Sequence, residues 1–192
     1  MRPIALVVAA ALAAIVLPDV AGASFMFDPV TRKPITVKPG MSRGGSPIKK
    51  TVVENPGNYK PGTIVVNTAE RRLYLIQQDG KALKYGIGVG RDGFTWGGTH
   101  SVTMKREWPD WRPPAAMLKR RPDLPRFMPG GPNNPLGARA LYLGSTIYRI
   151  HGSNEPWTIG QAVSSGCFRM TNEDVTDLYE RVNVGARVVV LR

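Results

Sequence analysis

Ala140-Leu141-Tyr142-Leu143-Gly144-Ser145-Thr146-Ile147-Tyr148-Arg149-Ile150 reads as two short strands about a Gly-Ser turn. Both runs are rich in aromatic and β-branched residues, which suit a pleated, half-buried surface. The pattern recurs on either side. Upstream, Thr63-Ile64-Val65-Val66-Asn67 and Arg72-Leu73-Tyr74-Leu75-Ile76-Gln77 are strand-like, Asp79-Gly80 marks a hairpin before residues 83–89, and 101–106 alternate in part. Downstream, Arg187-Val188-Val189-Val190-Leu191 forms a last strand. Strands at this spacing predict a mainly β domain, a β-sandwich or barrel-like core with few short helices. One helix stands out. Thr171-Asn172-Glu173-Asp174 reads as a capping box, and Val175, Leu178, Tyr179 and Val182 then fall on one apolar stripe that runs out near Gly185.

The composition agrees. The chain has 192 residues, 42% hydrophobic and 21% charged, enough for one cored domain and too apolar for a disordered chain. Its 21 glycines and 17 prolines favour turns and argue against a helical bundle. Residues 4–17 are an unbroken apolar run, shorter than the ~20 residues of a spanning helix. Pro18 and Ala21-Gly22-Ala23 follow, so 1–23 is expected to be a signal peptide rather than an uncleaved anchor. Residues 24–61 carry scattered prolines and bases and are expected to form a flexible basic leader to a domain at 62–192. A net charge of +12 favours anionic surfaces. For an exported chain without a nucleic-acid motif, that means cell-wall polymer or anionic lipid rather than nucleic acid. Residues 107–137 form a long Pro-rich insertion with Trp108 and Trp111, which suits a lid over a cleft, or else a packed surface loop.

Export makes the single cysteine, Cys167, informative, because structural cysteines in oxidising compartments come in pairs. It stands in Ser164-Ser165-Gly166-Cys167-Phe168-Arg169-Met170, sixteen positions after His151 in Ile150-His151-Gly152-Ser153-Asn154. A thiol needs a base to become a nucleophile at neutral pH, and histidine is the natural one. The amides of Ser165, Gly166 and Cys167 could face a developing oxyanion, since a glycine lets a carbonyl approach the backbone. Arg169 would share the cysteine's side of an extended segment, where it could hold a substrate carboxylate or form a structural salt bridge. Ser153, Asn154 and Trp157 are further candidate substrate-binding residues. One cysteine and two histidines offer no metal-ligand spacing, and there is no dinucleotide fingerprint, so neither metal nor cofactor is expected.

His-Gly, a gap of this length and Ser-x-Gly-Cys-x-Arg-Met resemble the L,D-transpeptidase family with the YkuD-type catalytic domain. The likeness runs from about Gly62 to Arg192. It takes in Arg72-Leu73-Tyr74-Leu75, Asn134-Pro135-Leu136-Gly137 and Pro156-Trp157-Thr158-Ile159-Gly160. The resemblance implies Cys167 as nucleophile, His151 as base, the carbonyl of Gly152 as the group orienting the ring, and Arg169 as the motif arginine. Many members carry a histidine two residues before the cysteine; here that residue is Ser165. The implied activity is acyl transfer from peptidoglycan peptide stems through a thioester, to a stem amine or an envelope protein, in the periplasm or cell envelope. The alternatives are hydrolysis of the same bonds by an L,D-carboxypeptidase, and a non-catalytic wall-binding module.

Overall fold

The computed structural model describes residues 26–27, 34–35 and 45–192. The expected signal peptide lies outside them, as do residues 24–25, 28–33 and 36–44 of the leader. Two units are distinguished, Met1–Lys38 and Pro39–Arg192. In the first, β1 (Met26–Phe27) pairs antiparallel with β2 (Pro34–Ile35). The second is the β domain.

Its strands are β3 (Thr51–Glu54), β4 (Ile64–Asn67), β5 (Arg72–Ile76), β6 (Lys81–Gly86), β7 (Val89–Gly90), β8 (Gly98–Glu107), β9 (Arg139–Leu143), β10 (Arg149–His151), β11 (Ala162–Ser164), β12 (Phe168–Arg169) and β13 (Arg187–Leu191). Nine of them form one sheet in the order β12-β10-β9-β8-β13-β4-β5-β6-β3; β11 and β7 make a separate parallel pair. β4, β5 and β6 are an antiparallel meander, as the hairpin signal predicted, with Gly80 at φ 74° in the turn. The long β8 joins the two halves of the sheet. Its first residues pair with β13, the rest pair with β9, and the register shifts between Val102 and Met104. Such an irregularity bends a strand and increases its twist.

One apolar cluster draws on both halves. Ile64, Leu73, Leu75 and Tyr85 from one meet Leu141, Leu143, Ile150 and Phe168 from the other. Between them lies α2 (Asn172–Arg181), whose Val175 and Leu178 are buried, with Val182 just beyond. Thr171 caps it, its Oγ1 accepting the Asp174 N–H at 3.1 Å. The helix is also held from outside. Asp177 accepts from Tyr85 Oη at 2.6 Å, pairs with Lys50 at 2.8 Å and bonds Arg181.

Three expectations shift. Residues 51–54, expected in the flexible leader, form β3 on the sheet edge, and Ile48 packs against Gly86 and Gly160. Thr146–Tyr148 is a turn rather than the start of a strand, because the Thr146 hydroxyl donates to the Leu143 carbonyl and accepts the Tyr148 N–H. Residues 83–89 divide into β6 and β7. The insertion contains a short helix, α1 (Ala115–Arg120).

Candidate active site

β10 ends on His151, and β12 begins just after Cys167. The two strands are parallel, with Ile150 opposite Phe168 and His151 opposite Arg169. Ile150 and Phe168 are buried in the core. Successive strand residues face opposite ways, so Arg149 and His151 on one strand, and Cys167 and Arg169 on the other, share the face away from it. The outer edge of β12 is pinned as well, by reciprocal backbone bonds between Gly88 and Arg169, both 2.9 Å. The cysteine segment therefore runs between β10 and the 88–90 strip.

His151 is 5% exposed, and its Nδ1 donates to the carbonyl of Gly152 at 2.5 Å. A neutral ring holding its proton on Nδ1 presents an unprotonated Nε2. Burial, then the Arg169 guanidinium, and more weakly that of Arg149, push the imidazole down to about 3, against the pull of the Gly152 carbonyl. Gly152 is tightly placed, since a Cβ there would lie 2.3 Å from Asn172 Oδ1. Cys167 is half-buried as a residue. Burial pushes the thiol up; hydrogen bonds from the backbone N–H and guanidinium of Arg149 and the charge of Arg169 pull it down.

The turn before the cysteine is built from side chains. Ser164 Oγ accepts the Gly166 N–H at 3.1 Å and donates to the Cys167 carbonyl at 2.6 Å. The Gly166 carbonyl accepts from Trp96 Nε1 at 2.7 Å, and Gly166 has φ 105°. Trp96 stacks on Tyr148, with centroids 4.5 Å apart, and also meets Phe168 and His100. In this structure the Gly166 amide is therefore engaged by Ser164.

The other candidates fall as follows. Arg169 makes a 2.8 Å ion pair with Glu155, the two side chains 15% and 16% exposed. That is the structural salt bridge of the two readings. Ser153 is buried, its Oγ accepting the Glu155 N–H. Asn154 is exposed and donates to the Asn133 carbonyl, tying the loop after His151 to the insertion. Trp157 lies in a 3-10 turn (Pro156–Thr158), its Nε1 buried without a partner among the described residues.

The insertion reaches the same region. Trp111 and Met128 bond each other's backbones at 2.8 Å and close it into a loop, and buried Asn134 donates to Met128 and Pro129. Arg120 of α1 lies over the Phe94 ring at 5.1 Å, as does Arg91 at 4.7 Å. The Arg91 N–H donates to the carbonyl of Ser164, so α1 and the cysteine turn meet the same short segment. Sequence reasoning missed Arg149, Ser164 and Trp96. Arg149 was within reach, being two residues before His151 and so on its face of a strand. Trp96 carries no local signal.

Residues 61–190 match the L,D-transpeptidase catalytic domain, YkuD. The chain is 41% identical over 145 residues to the probable L,D-transpeptidase ErfK/SrfK of Escherichia coli K12, a match covering 71% of this chain and 46% of that protein. The chain therefore spans about half the length of that relative. Among solved structures, a Brucella melitensis protein described as a probable carnitine operon oxidoreductase is 47% identical, at a TM-score of 0.52, covering 77% of this chain and 96% of that one. The catalytic domain of the Enterococcus faecium L,D-transpeptidase acylated by ertapenem has a TM-score of 0.53 at 19% identity, covering 70% of this chain and all of that one. The last likeness is one of fold.

Proposed function

The chain belongs to the L,D-transpeptidase family with the YkuD-type catalytic domain, and from that membership we propose that it is an exported, cysteine-dependent acyltransferase acting on the peptide stems of peptidoglycan. The observation that carries this reading is the pairing of β10 with β12, which sets His151 and Cys167 on one face, with the His151 ring held by Gly152.

The chemistry follows from that arrangement. The Cys167 thiol passes its proton to His151 Nε2, and the sulfur attacks the carbonyl joining the L-centre of the third-position diamino acid to D-alanine. With the Gly166 amide committed, the amides of Cys167 and Ser165 are the donors that would meet the oxyanion. The carbon–nitrogen bond breaks, the D-alanine amine takes the proton back from His151, and a thioester remains. An acceptor amine then attacks, giving up a proton to His151, and the thiolate leaves and is reprotonated. No ATP is needed, because the thioester keeps the acyl group activated. The acceptor is a second stem or an envelope protein.

Transfer requires that water be held off the thioester. The insertion is the element suited to this, as α1 and the cysteine turn share the Phe94 segment and Asn154 ties to Asn133. The test is incubation with disaccharide-tetrapeptide and mass analysis of the products. Crosslinked dimers with release of D-alanine are expected. Tripeptide alone would make the protein a hydrolase, and unchanged substrate with a folded protein would point to another acceptor or to wall binding.

A further inference from the structure

Cys167 has more than a base beside it. Ile150 pairs with Phe168, so one step earlier on each parallel strand Arg149 runs alongside Cys167, on the face opposite the core. Against burial, which pushes the thiol up, the backbone N–H, charge and guanidinium of Arg149 all act to lower its pKa, beside the charge of Arg169. The side chain is also braced at its sides, with Cζ 4.9 Å over the Tyr142 ring and Nη1 donating to the Ile147 carbonyl at 3.2 Å. Two neighbouring arginines are paired with carboxylates, Arg169 with Glu155 and Arg139 with Glu107. Among the described residues no carboxylate pairs with Arg149, and its Nε is buried without a partner. A cation braced on an aromatic ring and free of a counter-charge is placed for an anion that forms only during reaction.

We propose that Arg149 is a catalytic residue whose guanidinium carries the negative charge of the Cys167 sulfur once the thiol proton has moved to His151. The inference rests on the transferase reading only for the identity of the substrate; the ionisation itself belongs to the thiol. The charged or titratable groups facing the sulfur are Arg149 and His151 from β10 and Arg169 from β12, the last balanced by Glu155. Arg149 differs from Arg169 in lying directly alongside Cys167 in the strand register and in lacking a carboxylate partner. A guanidinium near the ring also opposes protonation of His151, but Arg149 is the weakest of the influences on that ring while it runs directly alongside Cys167. When the thioester forms the sulfur becomes neutral; when the thiolate leaves, its charge returns to the same fork.

The test is the pH dependence of Cys167 alkylation by iodoacetamide in the full chain, for wild type, R149M and R149K, with thermal melting to check folding. R149M is expected to react about tenfold more slowly at neutral pH, its ionisation profile displaced upward by about one pH unit. The effect is partial because the Arg149 backbone N–H remains. R149K keeps the charge but lacks the planar fork, and is expected to shift the same way by less. A profile unchanged in either folded variant overturns the proposal. Alkylation needs no stem peptide, so the two readings fail separately. Absent transfer with shifted profiles would contradict the transferase and leave Arg149 in its role, and intact transfer with unshifted profiles would do the reverse.

Discussion

The His151 ring is held at about 3 by burial and by two neighbouring guanidiniums. In an unfolded chain a histidine takes up its proton near pH ~6.5. Between those values the unfolded state binds a proton that the folded state refuses, so stability is full above about pH 6.5 and is lost as the pH falls toward 3. The melting temperature should therefore decline from about pH 6.5 to about pH 4.5, before the carboxylates titrate, and H151Q should flatten that decline. An equal slope in H151Q would show that His151 is not the group responsible. In activity, H151Q is expected to lose about 10²- to 10⁴-fold in kcat, the range of a general base, measured by D-alanine release. Cys167 and His151 were legible because both sit in compact motifs beside glycine. Arg149 was legible only through the two-residue period of a strand. The commitment of the Gly166 amide was not, since it depends on which way the Ser164 hydroxyl turns.

Short elements carry the site, and their ends matter more than their middles. Thr171 starts α2 directly after β12, so its cap also fixes the strand that follows the cysteine. T171A is expected to cost about 1 kcal/mol in urea unfolding, with little change in the urea dependence. The turn before Cys167 is stiffer still. At Gly166 a Cβ would lie 2.4 Å from the Tyr148 ring, in a backbone conformation at φ 105° that side chains avoid. G166A is expected to lower kcat far more than it lowers the melting temperature, because the displaced turn carries Cys167. A proportionate loss of both would mean that the turn is merely structural. Strand identities were readable from β-branched and aromatic runs, and α2 from its stripe. The ends were less so. The Thr146 hydroxyl replaces ladder bonds with local ones and shortens β10 to three residues, which nonetheless deliver His151 to its place.

At the scale of the whole molecule, one sheet bends at β8 so that both halves share a core with α2. The mainly β character was visible in the sequence; the bend was not, because it depends on the partners β8 takes at each end. β3 was hidden by its setting among prolines and lysines, where it lies on the exposed edge of the sheet. A chain beginning at residue 55 loses β3, the packing of Ile48 and the Lys50–Asp177 pair. It is expected to melt about 3 °C or more below the full domain; an unchanged melting temperature would reassign 45–54 to the leader. The central claim, that the molecule works as a single thiol on a β scaffold, is tested most directly by intact-mass spectrometry after brief exposure to disaccharide-tetrapeptide. Wild type should carry the acyl group of the stem, less D-alanine, on a peptide containing Cys167, and C167A should carry none while melting as wild type does. An adduct that survives in C167A, or a folded wild type that never acquires one, would contradict the account.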